Sequence, residues 1–227
     1  MQINITFRYC LAFMAFVFVF GQLHEVAHLT AAFVVCGYPG SQADFNLWTL
    51  CGDCQVNPNG YIATIFGPVF SYLMMWTGYF LLRSWNKKYW GVAFVLILGN
   101  LPFARIFTAG MGGGDETTVL KTLFSAEPVW LIKIIGFLIV AGLAFPPIFM
   151  AYKRLHYKRK LLLIITFCVA PMLIMMPYEF ILLGKVLKSG FMADQHFLGI
   201  ADFIYLHTLL MAMIVLIFRK TLFAFSK

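Results

Sequence analysis

The segment His24-Glu25-Val26-Ala27-His28 places two imidazoles and a carboxylate within five residues. Histidines four apart lie on one face of a helix, about one turn from each other, so both rings can reach a single ion. The glutamate between them points elsewhere and is free to act as a general base on water. In a soluble chain this HExxH pattern is a modest signal. Here the flanking residues are apolar, and ionisable groups are costly in such a setting unless a function retains them. The competing reading is that all three side chains simply hydrogen-bond to neighbouring helices.

A catalytic zinc usually has three protein ligands and one open position. Asp115, in the run Gly112-Gly113-Gly114-Asp115-Glu116, is the chosen third ligand. Its glycines let the backbone leave a helix and turn toward the histidines. Asp115 as the N-cap of a following helix is the alternative. Glu116, Glu179 and His207 are the other candidates for the ligand position. Arg105 would be repelled by a dication unless a carboxylate stood between them. It is expected to pair with Glu116 or Glu179, or else to hold a substrate carboxylate or a developing oxyanion.

The elements that must position these groups follow from composition. Of 227 residues, 62% are hydrophobic and only 11% charged, too little polar surface to clothe a soluble core of this length. Apolar stretches near the ~20 residues needed to cross a bilayer occur about six times. They are drawn at 9–35, 61–82, 91–110, 129–152, 161–187 and 201–218, with 115–128 as a short surface helix. The expected fold is all-α, a polytopic helical membrane protein forming one domain over 1–227. A metalloprotease-like core occupies 9–128 and additional transmembrane helices occupy 129–227. The N-terminal run lacks a convincing signal-peptide cleavage site and is expected to be retained as the first span.

Charge orients these spans. Twelve of the 17 Lys and Arg residues fall on one side of a six-span layout: Arg8, Arg83, Lys87, Lys88, Lys153, Arg154, Lys158, Arg159, Lys160, Arg219, Lys220 and Lys227. The positive-inside rule makes that side cytoplasmic, with both termini inside and a membrane of the bacterial inner-membrane type. The net charge of +8 thus belongs to a membrane edge and calls for no nucleic-acid partner. Counting ~1.5 Å per residue along each span brings His24, Arg105, Glu179 and His207 to one outer level, as if they shared a polar cavity.

HEVAH near the end of the first span, GYIATIFGP at 60–68 and the Gly-rich turn with its aspartate together resemble the site-2 protease family of intramembrane zinc metalloproteases. The resemblance covers roughly residues 20–120. It implies zinc held by His24, His28 and Asp115, with Glu25 activating water. Two features depart from the family pattern. Its compact Asn-Pro and Leu-Asp-Gly signature is absent, since Asn100-Leu101-Pro102 stands well before Asp115. The charge bias also places the site toward the outer face, whereas site-2 proteases cut nearer the cytoplasm.

The expected function is therefore an intramembrane zinc metalloprotease acting on a membrane protein or peptide. A membrane zinc amidase or lipid hydrolase is the alternative enzyme, and a non-catalytic metal-binding membrane protein is the alternative outside catalysis. Gly67-Pro68 within the second span either frees a carbonyl for an extended substrate or merely kinks the helix. Cys51 and Cys54, in CGDC, are expected to form a disulfide bracing the first outer loop, with Cys36 as a competing partner. Cys10 and Cys168 are read as core residues. Met172, Met175 and Met176 are read as lipid-facing or packing residues rather than a copper site.

Overall fold

The computed structural model describes residues 2–45, 47–84 and 86–224; Lys227 of the basic C-terminus lies outside them. The chain is helical apart from one small hairpin. Helix α1 (Phe7–Cys36) begins where the Thr6 hydroxyl accepts a hydrogen bond from Tyr9 N at 3.2 Å. It ends at Gly37, whose φ of 80° lets its N–H turn back to Phe33 O at 2.9 Å, the usual left-handed helix stop.

Strands β1 (Ser41–Asp44) and β2 (Leu47–Thr49) pair antiparallel within the segment expected to be loop. After the short α2 (Gly52–Val56), α3 (Tyr61–Arg83) runs unbroken through Gly67 and Pro68 and packs along α1. The hairpin is tied down twice. Gln22 on α1 and Gln42 on β1 exchange side-chain hydrogen bonds of 2.7 and 3.1 Å, and Ala201 N donates to Gln42 O at 3.2 Å.

The third span is not one helix. It divides into α4 (Trp90–Leu98) and α5 (Pro102–Met111), separated by Gly99, Asn100 and Leu101. Pro102 has no N–H to continue the ladder, and it disfavours helical backbone in the residue before it. Leu101 leaves the right-handed helix and adopts the left-handed backbone, φ 52° and ψ 49°. Asn100 Nδ2 donates to Leu96 O at 2.7 Å, adding a partner for a carbonyl at the end of α4. Helix α6 (Asp115–Leu123) is no surface helix: Glu116, Thr117 and Val119 are buried, and it packs on α3 and on α7 (Val129–Arg154).

Helix α8 (Lys160–Met175) continues as a π-helix over Met176–Leu183 and then as α9 (Gly184–Lys188). The π-turns start beside Pro177, where the regular ladder loses a donor. Helix α10 (Asp202–Ile217) lies along α1, and α11 (Arg219–Phe223) closes against α1 and α4. Away from the hairpin, the interior is an aromatic cluster in which Phe167 meets Phe13, Phe94 and Tyr9 edge-on at 4.8, 5.4 and 5.9 Å.

Among the described residues, five helical segments are long and apolar enough to cross a membrane: Phe7–Cys36, Tyr61–Arg83, Lys87–Leu123, Val129–Arg154 and Lys160–Lys188. The sixth expected span, α10, has 16 residues, short of the ~20 that a bilayer requires. Outward faces of the long helices carry exposed Leu73, Phe80, Leu138, Phe145, Leu161 and Leu173.

The disulfide joins Cys36 to Cys54, not Cys51 to Cys54. Cys36 ends α1 at a Cα separation of 5.3 Å from Cys54, within the range a bridge accepts. Cys51 is a free thiol, Cys168 is buried as expected, and Cys10 is exposed rather than core. Alkylation of the unreduced protein should therefore label Cys51 and spare Cys36 and Cys54. Replacing Cys36 with Ser should cost about 3 kcal/mol in resistance to unfolding, the chain-entropy value for so short a loop. Peptide mapping that finds a Cys51–Cys54 link would contradict the assignment.

Candidate metal centre

His24 and His28 occupy successive turns of α1 and face α3 and the start of α6. Helix α3 meets them with Ala63, Gly67 and Ser71, small residues spaced four apart and therefore on one face. Gly67 is indispensable to this approach. A Cβ there would overlap His28 Nε2 and lie 2.7 Å from His24 Cε1. Ala63 offers its carbonyl to His28 Nδ1 at 2.8 Å, and Ser71 Oγ lies 3.2 Å from His24 Nδ1. Trp48 of β2 stacks on the His28 ring at 4.6 Å, leaving that histidine fully buried.

Asp115 is the first residue of α6, and Gly114 holds the N-cap position with φ 79° and no capping side chain. The carboxylate is thus not spent on capping. Its Oδ2 lies 3.2 Å from His24 Nε2 and 3.4 Å from His28 Nε2, and the two nitrogens are 3.0 Å apart. Three donors bound to one tetrahedral zinc at ~2.0–2.1 Å would stand about 3.3 Å from one another. The donor set, two imidazoles and one carboxylate, also suits zinc. Among the described residues this is the group of three so arranged for a metal ion. His28 donates its Nδ1–H to Ala63 O, which leaves the Nε2 lone pair facing the shared centre, the usual outer partner of a metal-bound histidine.

Glu25 is buried, and its Oε2 has no hydrogen-bond partner among the described residues. It borders a cavity of about 600 Å³ with His24, Ser71, Arg105 and Asp115. Apolar walls come from Trp48, Phe107, Met172, Met175, Met176 and Phe180, and the α4–α5 break at Gly99, Asn100 and Leu101 opens onto the same space. The methionines therefore line the site rather than only facing outward. Irregular backbone at such depth is tolerated where it lines a cavity.

The remaining candidates separate. Arg105 pairs with Glu116, Nη1 to Oε1 at 3.3 Å, and not with Glu179. Glu116 also accepts from Tyr72 OH at 2.8 Å, so it anchors Arg105 and is not part of the triad. Glu179 lies on the π-helix, and His207 on α10 is boxed by the rings of Phe18, Phe45 and Tyr178. Neither lines the cavity. The single shared polar cavity expected from depth alone is thus wrong for these two, because equal depth says nothing about which side of α1 a neighbour occupies. Ser71 was not anticipated as a site residue, Gly67 was expected to free a carbonyl for substrate or to kink the helix rather than to admit the histidines, and Trp48 was not anticipated. The small-residue periodicity of α3 could have revealed the first two; nothing local marks Trp48.

No family model, curated protein or solved structure matches the chain. Function must therefore be argued from the chemistry of these residues.

Gly67→Ala should weaken zinc binding by at least about tenfold, in line with the effect of disturbing a ligand's support, while helical content stays unchanged. Wild-type affinity in that variant, measured by chelator competition, would show that α3 does not press on the histidines.

Proposed function

We propose that this chain is an integral membrane protein, crossing by its five long helices and by the shorter α10 extended through α11, that acts as a zinc peptidase on peptide bonds of membrane-embedded or membrane-adjacent proteins. The observation that carries the reading is the convergence of His24 Nε2, His28 Nε2 and Asp115 Oδ2 to within 3.4 Å, beside a buried Glu25 with an unpartnered oxygen. Zinc held by that triad supplies Lewis acidity, making a water more acidic and polarising a carbonyl.

Glu25, adjacent to the triad and not part of it, takes the proton from the attacking water and returns it to the departing amine. Trp48, Phe107 and the methionines give the reacting groups largely apolar walls, in which charge interactions are stronger than in water. A peptide substrate is favoured by β2. Among the described residues that strand pairs with β1 alone, and its Leu47 and Trp48 border the cavity. Its second edge offers main-chain partners to an extended chain.

The membrane setting is supported by the five long apolar helices and by their exposed Leu and Phe residues. Basic side chains at one end lie over aromatic rings, as Lys153 does over Phe149 at 4.5 Å, Lys160 over Tyr152 at 4.2 Å and Arg154 over Trp90 at 4.9 Å. Such pairs suit a bilayer interface. In this reading that end and both termini are cytoplasmic, and the metal centre lies toward the outer side.

Glu25→Gln should keep stoichiometric zinc and lose at least about a hundredfold in turnover, the scale of general-base catalysis. His24→Ala and His28→Ala should lose the metal. Equal zinc content in all three would end the metalloenzyme reading, and turnover of lipid extract with none of spanning peptides would replace the peptidase by a lipid hydrolase.

Reporter fusions at Lys87 and Arg159 should read as cytoplasmic and a fusion at Asp53 as external. A cytoplasmic signal at Asp53 would invert the orientation and carry the site to the inner face.

A further inference from the structure

Arg105 touches the centre in a way that zinc binding cannot leave unchanged. Its Nη2 lies 2.8 Å from His24 Nδ1 and 2.8 Å from Ser71 Oγ, its Nη1 lies 3.3 Å from Glu116 Oε1, and its Cζ sits 5.7 Å from the centre of the Tyr72 ring. A guanidinium has donors only, so at 2.8 Å the Nδ1 atom must accept. The His24 proton is then on Nε2, where it donates to Asp115 Oδ2 or His28 Nε2. Both nitrogens of His24 and both Nη atoms of Arg105 have partners in this arrangement.

Metal ligation by His24 reverses the requirement. Nε2 must present its lone pair to the ion, so Nδ1 carries the proton and needs an acceptor. Ser71 Oγ, at 3.2 Å, can accept; Arg105 cannot. Two donors facing each other at 2.8 Å repel, and the guanidinium must leave. Its anchors do not leave with it, because Glu116 and Tyr72 hold the Nη1 side of the group in place. Arg105 also borders the cavity, and its Nε has no partner among the described residues.

We infer that Arg105 changes partners with the tautomer of His24: it holds the ring protonated at Nε2, the form that cannot ligate, and when Nδ1 carries the proton instead it turns into the cavity to bind the substrate oxygen that gains negative charge. This rests on the zinc-peptidase reading of the same site. It assigns Arg105 as a catalytic residue that meets substrate and Ser71 as a positioning residue that acts through His24. The two touch the same nitrogen yet should move zinc affinity in opposite directions.

The test is zinc affinity of the full-length protein in detergent, measured by competition with a chromophoric chelator. Ser71→Ala should weaken binding about tenfold or more, since Nδ1–H loses its acceptor. Arg105→Gln and Arg105→Lys should both tighten it, by several-fold or more. Lysine keeps the positive charge but not the planar fork. An affinity raised by glutamine and unmoved by lysine would mean simple charge repulsion and overturn the inference. Because Arg105→Gln leaves Glu116 buried without its cation, the double variant Arg105→Gln/Glu116→Gln is measured beside it. Weaker zinc binding in both would make Arg105 a mere support and overturn the inference as well.

A dipeptide phosphinate, whose tetrahedral anionic oxygens mimic the hydrated carbonyl, then probes the second half at saturating zinc. Arg105→Gln should bind it about a hundredfold more weakly than wild type, the lower end of the range for removing one oxyanion donor. Equal binding overturns the assignment to substrate. Wild-type protein that takes up no zinc would sink the metal reading and this inference together, whereas zinc affinity unmoved by either Arg105 variant would sink the inference alone.

Discussion

Three ionisable side chains buried in an otherwise apolar helix impose the constraint that the rest of this structure answers. Burying a polar group without a partner costs several kcal/mol in surroundings that offer no water, and α1 cannot partner His24, Glu25 and His28 from its own backbone. Partners must be brought from elsewhere. Helix α3 brings the Ala63 carbonyl and the Ser71 hydroxyl, and α6 brings Asp115. The hairpin brings Trp48 as a cover. Each delivery has its own backbone device: Gly67 for the close approach of α3, Gly112 and Gly114 with positive φ for the turn into α6, and Gln42 with the Cys36–Cys54 bridge for the hairpin.

The histidines and Asp115 were legible in the sequence because their signals are local. A four-residue spacing fixes a helical face, and a glycine run before an aspartate marks where a chain can turn. Arg105 with Glu116 was legible as one of two charge pairings, since both charges lie close in sequence and neither tolerates burial alone. The boundaries of α1, α3 and α7 followed from apolar length. What was not legible depends on pairing across the fold. Periodicity places Ser71 on a face of α3 but does not say that His24 lies opposite. Cys51-x-x-Cys54 advertises a local bridge, while the end of α1 brings Cys36 nearer. The break at Leu101 could be suspected from Pro102, yet many helices carry an internal proline, as α3, α7 and α8 do here. Depth counting failed for His207 and Glu179 for the same reason, because it fixes one coordinate of three.

The broken third span has a function in this scheme that a straight helix could not serve. Ending α4 at Leu98 and restarting at Pro102 places Gly99, Asn100 and Leu101 beside the cavity, and it sets the direction in which α5 leaves. Arg105 stands on the first turn of α5, and its N–H bonds to Leu101 O at 3.2 Å. The orientation of the guanidinium therefore depends on the left-handed backbone at Leu101. A residue in that conformation is strained unless its surroundings enforce it, and such residues gather at functional sites.

Asp115 rather than Glu116 faces the histidines for a reason of helix geometry. Adjacent helical residues point about 100° apart, so only one of the two can face α1 while the other faces Tyr72 and Arg105. The shorter side chain takes the histidine side, where one methylene fewer fixes the carboxylate more firmly. The longer one spans to the guanidinium at 3.3 Å. Both carboxylates also sit in the first turn of α6, where the helix dipole favours negative charge. The pair thereby divides one problem between two neighbours: Asp115 completes the triad, and Glu116 neutralises the Arg105 cation that would otherwise stand uncompensated beside it.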